Sequence, residues 1–465
     1  MNPSKHSFSL PGELLRIGET IGQAGGRPVL VGGWVRDYLL GQPRGKDFDL
    51  EVFGLETGSL SKLLKKFGPV HEVGRHFGVL KLVTPAAEYD VSVPRRERKT
   101  GKGHTGFQVH TDPTMSFEEA AARRDFTINA MGYALLEQAF LDPFGGEEHL
   151  NQRILQHVGA AFGEDPLRVM RAMQFAGRFG LTIASETLAV CREQPLGELP
   201  RERMCEEFKK LLLRSPAPSH GLAYAEPLGV LKAFPELAAL FKLPAEAGRT
   251  LSPWNVTLAA LDQAAILRGA GEREALVFML AALCHGFGQL AAESGGGAAA
   301  DPAAPVMMFL QRLTNETAVL DGVMALVREW DQPGQLYRKR GARTDGKLRR
   351  LALRVSMPLL ERLARAVYYA STPGTAAETD YPAGDWLLEK AQALGVLSGP
   401  PEPILKGRHL QEEGFPSGPA MGMLLKQAFQ LQLDGSLATL EEALRWARKQ
   451  VAAIPSGGDP LPGES

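Results

Sequence analysis

The stretch that most constrains this chain runs from Val29 to Glu51. An apolar run, Val29-Leu30-Val31, leads to the pair Gly32-Gly33, then to a helix-like Trp34–Leu40 and a Gly/Pro turn. Asp47-Phe48-Asp49 follows and enters a second apolar run, Leu50 to Phe53. In a strand, side chains at i and i+2 share a face, which places Asp47 and Asp49 side by side. Adjacent carboxylates repel, and a cation between them relieves the repulsion. Hard oxygen ligands with open positions suit Mg²⁺, which takes one or two carboxylates together with phosphates. The Gly32-Gly33 turn offers backbone N–H groups and a positive helix end to a phosphate. Arg36, one turn on, is placed to clamp the same group. Asp-x-Asp alone is common on solvated strand edges, and Gly-Gly before a helix is often only a turn. The ordered combination is what is specific.

Residues 1 to about 150 alternate short apolar runs with helix-like pieces, which predicts an α/β head. Helical spacing runs from Leu60 to Phe67, and strands are expected at 78–83 and 88–93. Asp90 lies within the second of these. On a strand beside Asp-x-Asp it completes a metal cage or acts as base for an attacking hydroxyl; a plain strand-edge charge is the other reading. The basic, Gly-rich segment from Arg95 to Gly106 reads as a mobile loop near phosphate or simply a solvated one. A helix is expected from Glu118 to Met131, carrying Arg123-Arg124-Asp125-Phe126-Thr127-Ile128-Asn129-Ala130. One arginine is placed to reach a triphosphate or ribose while the other holds Asp37 or Asp125. A solvated arginine pair satisfies the same spacing.

Asp165-Pro166 opens a helix running to Phe179, with Asp165 as cap and Pro166 at its first position. Asp165 and Arg168 are i and i+3 and share a face. A capping Asp beside a solvated Arg is one reading. The sharper one is chemical. An acceptor beside a donor complements an edge bearing an amino group next to a ring nitrogen, which cytosine and adenine present. Guanine and uracil present the reverse, so mismatched polar groups would be left unpaired.

The formal net charge of −1 gives no global basic signature, so a nucleic-acid partner would have to be held by local patches. Three cysteines, Cys191, Cys205 and Cys284, make no disulfide or metal framework and fit a reducing cytosol. The N-terminus lacks the apolar core of a signal peptide and no run reaches membrane-spanning length, so a cytoplasmic protein without a membrane partner is expected.

Taken together, Gly-Gly-x-Val-Arg-Asp with Asp-x-Asp, Arg-Arg-Asp-Phe-Thr-Ile-Asn-Ala, and Glu-Asp-Pro-Leu-Arg resemble, in that order, bacterial class II CCA-adding tRNA nucleotidyltransferases and their poly(A) polymerase relatives. The resemblance covers roughly residues 28–215. It implies an α+β fold: a DNA polymerase beta-type α/β head followed by an all-α neck, body and tail. It implies Mg²⁺-dependent, template-independent addition of C, C and A to a tRNA 3′ end from CTP and ATP. Alternatives within the resemblance are a CC-adding or A-adding specialist and a poly(A) polymerase; a non-catalytic RNA-binding protein is more remote. By position, Asp47 and Asp49 would be the Mg²⁺ ligands, with Asp90 assisting. Gly32, Gly33 and Arg36 would contact nucleotide phosphates, Arg124 the incoming nucleotide, and Asp165 and Arg168 the base, with Arg171 close by. Where the family often has a further Arg, this chain has Gln174. Arg201 to Lys210 resembles the helical motif that braces the base-reading helix.

The expected division is a head at 1–150, a neck at 151–240, an HD-like body at 241–372, a tRNA-binding tail at 373–454 and a disordered end at 455–465. From about 151 onward the pattern is helical, and Gly295 to Pro305 reads as a flexible loop. Two segments resemble the ends of an HD phosphohydrolase site but read Asn255 and His285-Gly286, so the body is expected to lack that metal and activity, with His285 packed or buried. The strongest basic cluster spans 338–350, and contact with tRNA phosphates and plain solvation both fit it. The oligomeric state stays open.

Overall fold

The computed structural model describes residues 6 and 8–452, apart from 43–44, 74–77, 100–106, 246–247, 249, 294–300, 302, 342–343 and 373–379. The centre of the expected basic loop, most of the Gly/Ala-rich segment, the break after Thr372 and the end at 455–465 therefore lie outside the described residues. Two compact units result, residues 1–238 and 239–465. Head and neck share the first. Among the described residues no helix is long and apolar enough to cross a membrane.

The head begins with α1 (Gly12–Gln23), β1 (Arg27–Val31), α2 (Gly33–Leu39), β2 (Asp47–Phe53) and α3 (Thr57–Leu64). Strands β3 (Val70–Val73), β4 (Val79–Val83), β5 (Glu88–Ser92), β6 (Arg95–Lys99) and β7 (Phe107–Thr111) follow, then α4 (Phe117–Ala121), β8 (Gly132–Ala134), β9 (Ala139–Leu141) and α5 (Gly146–Asn151). The sheet has the order β3-β4-β5-β2-β1-β8-β9. Only β2 and β5 run parallel, and their register sets Asp49 opposite Asp90 and Asp47 opposite Glu88.

Alternation along β2 decides where the site lies. Phe48, Leu50 and Val52 are buried on one face. The opposite face carries Asp47, Asp49, Glu51 and Phe53. Phe53 is covered there, in a cluster with Val29, Val31, Phe117, Ala120 and Ala121. Helix α4 therefore caps the end of β2 near Phe53 and leaves the carboxylate end open.

Two expectations are corrected. The helix expected from Glu118 to Met131 ends at Ala121 and resumes only as a short 3-10 turn, Thr127–Asn129. The physical reason is Asp125, whose side chain accepts from the Phe126 N–H at 2.8 Å and the Asn129 amide at 3.0 Å, competing with helical bonding. The segment expected as a mobile loop from Arg95 has strands on both flanks, because β6 and β7 satisfy each other's backbone groups as a hairpin.

The neck comprises β10 (Ile154–Leu155), α6 (Leu167–Phe179), β11 (Thr182–Ile183), α7 (Ser185–Arg192), α8 (Arg201–Arg214) and α9 (Pro218–Leu222). Its two short strands pair in parallel, a departure from the all-helical expectation. Helix α6 buries Val169, Met170, Met173, Ala176 and Phe179. It lies tight against α9, since a Cβ on Gly221 would come within 2.5 Å of the Met173 carbonyl.

The second unit is helical. His285 is buried there, its Nδ1 2.8 Å from the Ala282 carbonyl and its ring edge-on to Trp330 at 5.5 Å. Burial lowers its pKa, with the Ala282 carbonyl opposing. Part of the 338–350 cluster is used structurally. Arg350 pairs with Asp434 at 2.8 Å and Arg349 donates to the Leu433 carbonyl, tying helix Thr344–Ala352 to helix Pro419–Asp434.

Candidate active site

A cleft of about 470 Å³ opens within the first unit, between the sheet face of β2 and helices α6 and α8. Its size suits a nucleotide-scale ligand. Gly32, Gly33, Arg36, Asp49, Arg124, Asp165, Arg168 and Arg171 all line it. Segments far apart in sequence thus converge on one space. Asp47 and Asp90 do not line it; they sit exposed beside Asp49 on the same sheet face.

Asp47 and Asp90 both act on Asp49, with Arg124 as the opposing cation. Asp49 has its pKa raised, first by desolvation, then by Asp90, with Asp47 adding and Arg124 opposing. A cation would relieve this, so the donor set fits a divalent ion. Among the described residues, no three His, Cys, Asp or Glu side chains converge closely enough to hold a metal. Asp90 has Lys81 opposite it on its other side. Two carboxylates plus phosphates remain a sufficient Mg²⁺ set.

Gly32 connects β1 to α2 at φ 73° and ψ −137°. A Cβ there would sit 3.3 Å from an Asp49 carboxylate oxygen and 3.5 Å from an Arg124 nitrogen. Gly32→Ala should cost about 1–3 kcal/mol through backbone strain, read as a lowered Tm. It should also crowd the phosphate approach and raise the KM for nucleotide.

Arg36 is buried rather than free to swing toward a ligand. Its Nε and Nη2 donate to Asp37 at 2.9 and 2.7 Å, and Nη1 donates to the Asn129 side chain at 2.6 Å. Its guanidinium rests on Phe179, 4.4 Å from the ring centroid. Arg124 is anchored by Glu51 at 3.2 Å and the Asn129 carbonyl at 3.3 Å, and it remains beside Asp49. Arg123 instead donates to the Arg95 carbonyl at the base of the hairpin.

Arg171 lines the cleft with Asp165 and Arg168 and donates to Asp125 through Nε at 2.7 Å. Burial opposes ionisation of Asp125, but Arg171, Asn129 and the Phe126 N–H together hold its pKa below the ordinary range. Stability from this pair is therefore present above the ordinary aspartate pKa and lost as pH falls through the lowered one. Asp125→Ala leaves the half-buried Arg171 with only Glu207, at 4.0 Å, and should cost about 2–3 kcal/mol in denaturant unfolding. The loss should shrink toward acid pH.

The Asp165/Arg168 pair is rigidly held. Asp165 accepts from the Leu167 N–H at 3.0 Å, capping α6, and from Arg203 at 2.8 Å. Arg168 donates to the Ala161 and Arg123 carbonyls, both at 2.6 Å. Three of its five N–H groups stay available, so the pair can still present an acceptor beside a donor.

Three further residues, each within a stretch already quoted, complete the wall. Glu51 anchors Arg124, Asn129 links Arg36 to Asp125, and Arg203 orients Asp165. Glu51 was readable as the next residue on the Asp47/Asp49 face. Asn129 and Arg203 had no local signal for their partners.

Residues 29–156 match the family model described as the Poly A polymerase head domain. The chain is 41% identical over 228 residues to the multifunctional CCA protein of Xylella fastidiosa, which covers 48% of this chain and 53% of that protein. It is 39% identical over 271 residues to the multifunctional CCA protein of Tolumonas auensis, covering 56% and 62%. The chain spans about half the length of the curated relatives it matches. Among solved structures, it resembles the Bacillus stearothermophilus CCA-adding enzyme in complex with CTP, with TM-score 0.65 and 24% identity over 95% of this chain and 97% of that one. The Thermotoga maritima CCA-adding enzyme complexed with tRNA gives TM-score 0.60 and 18% identity over 95% and 96%. At these identities the structures speak for the fold alone, a mixed-sheet head followed by helices. Residues 29–156 are thus similar to the poly A polymerase head domain.

Proposed function

We propose that this chain is a tRNA nucleotidyltransferase that adds C, C and A to tRNA 3′ ends from CTP and ATP without a nucleic-acid template. One observation carries the reading. The phosphate-side groups Gly32, Asp49 and Arg124 share a single cleft with the Asp165/Arg168 pair. A base held at that pair places its phosphates within the same space as the carboxylates. Asp165 accepts from the amino group of cytosine or adenine, and Arg168 donates to the adjacent ring nitrogen. The family resemblance and the multifunctional CCA relatives support the substrate assignment.

Asp47 and Asp49 would hold Mg²⁺, which supplies Lewis-acid polarisation of the phosphate oxygens when bound. The RNA 3′-oxygen attacks the α-phosphorus, the bond to pyrophosphate breaks in line, and the hydroxyl proton passes toward Asp90. Gly32, Gly33 and Arg124 orient the phosphates, and Arg36 and Arg171 keep the wall in place. Residues 373–454 are assigned to tRNA binding and 241–372 to an HD-like body without its hydrolase activity. The protein is placed in the cytoplasm.

A second reading, a poly(A) polymerase, is favoured by the description of the head-domain family. Incorporation on tRNA transcripts ending in the discriminator base, in C and in CC, each with one NTP at a time, separates the readings. CCA addition gives C on the first two and A on the third, then stops. Repeated A addition to the third transcript identifies a poly(A) polymerase. A single active step identifies a specialist, and no incorporation at all favours an RNA-binding protein.

A further inference from the structure

One end of the cleft wall carries positive charge that none of the roles above uses. Six cations there are committed: Arg36 to Asp37, Arg124 to Glu51, Arg168 to backbone carbonyls, Arg171 to Asp125, Arg203 to Asp165 and Lys210 to Glu207. Arg178, in the last turn of α6, and Arg214, the last residue of α8, also line the cleft. Neither makes an ion pair among the described residues. Arg178 lies on the Phe179 ring at 4.7 Å, and Arg36 occupies the same ring at 4.4 Å. Burial and the charges of Arg36 and Arg214 all disfavour the Arg178 cation, and Asp37 only partly offsets them. An unsatisfied cluster of like charge calls for an anion.

A second observation points to the same place. Gln174 sits one turn before Arg178 on the cleft face of α6 and is 1% exposed. Its amide nitrogen is buried and has no hydrogen-bond partner. Buried donors are nearly always satisfied, so one left open toward a cleft marks where an acceptor oxygen belongs.

We propose that Gln174, Arg178 and Arg214 form an oxyanion subsite for phosphate, separate from the Asp47/Asp49 carboxylates. Arginine forks and an amide N–H match phosphate oxygens. The ten residues from Arg168 to Arg178 span about 15 Å of helix. A nucleotide whose base is read at the start of α6 therefore directs its distal phosphates toward this subsite. The assignment of those phosphates rests on the proposed function; the oxyanion subsite does not. A phosphodiester of the bound RNA has the same chemistry, and the test distinguishes the two sources.

The probe is inorganic pyrophosphate, titrated calorimetrically into the full chain in the presence of a chelator. Wild type is compared with the double variant R178Q/R214Q, with R178K and with Q174L. The double variant should weaken pyrophosphate binding by about tenfold or more, with R178K recovering part of the loss. Q174L should weaken binding a few-fold while leaving Tm unchanged or raised, because it removes an unpaired donor at similar volume. A matching rise in the KM for CTP, with that for RNA unchanged, assigns the distal phosphates of the nucleotide. Unchanged pyrophosphate binding with a raised KM for RNA assigns the RNA phosphodiester instead. If the double variant misfolds, Q174L decides. Unaltered pyrophosphate affinity and unaltered KM values in folded variants overturn the subsite. Pyrophosphate binding needs no turnover, so an inactive chain that still shows these losses refutes the proposed function and keeps the subsite.

Discussion

Asp49→Asn should lower nucleotide incorporation by about a thousandfold or more in kcat/KM while leaving tRNA affinity within about twofold. Asp49 is the one carboxylate of the β2 face that lines the cleft, and it stands beside Gly32 and Arg124. Asparagine keeps the shape and removes the charge that would hold a metal ion. The same variant has a readout independent of turnover. The Asp49 pKa is raised in the folded chain, by desolvation first and by Asp90 next. A raised folded pKa means that the group's contribution to stability is present below the ordinary aspartate range and is lost as pH rises through the folded value. At neutral pH the metal-free wild type should therefore melt slightly below Asp49→Asn. Added Mg²⁺ should raise the Tm of wild type and leave that of the variant unmoved. Incorporation by Asp49→Asn at the wild-type rate would remove Asp49 from the chemistry.

Arg168→Ala should reduce kcat/KM for CTP and ATP by about a hundredfold or more, and it should narrow the margin against GTP and UTP much further. Sites that hydrogen-bond a base edge reject a mismatched edge because polar groups are left unpaired. That selectivity depends on a fixed geometry, and here both partners are pinned. Arg168 is held by two backbone carbonyls at 2.6 Å and Asp165 by Arg203 at 2.8 Å. Arg203→Ala, which touches only the support of Asp165, should therefore relax selectivity with a smaller loss of rate. A single-nucleotide incorporation panel on one transcript measures both variants. Equal discrimination in wild type and Arg168→Ala would mean that the base is read elsewhere.

Much of the head was legible before any coordinates. The i, i+2 spacing of Asp47 and Asp49, the glycine pair ahead of α2 and the Asp165 cap of α6 are local signals. Local geometry enforces them in any tertiary setting. The short α4 and the strands that flank the basic segment depend on contacts that spacing does not show. Helical spacing from Glu118 to Met131 was real, but Asp125 takes hydrogen bonds from Phe126 and Asn129 and an ion pair from Arg171, and these outweigh helix propensity.

Sequence alone determined which local features this protein carries: paired carboxylates on one strand face, a glycine pair ahead of a helix, and an Asp/Arg pair on one helix face. Each follows from the strand period of two or the helix period of 3.6. Tertiary structure decided which cations were free to act. Arg36, Arg171 and Arg203 are spent on Asp37, Asp125 and Asp165, whereas Arg178 and Arg214 are left facing the cleft. Arginines look alike in a sequence, and only the packing of α6 and α8 against the sheet determines which of them meets a carboxylate.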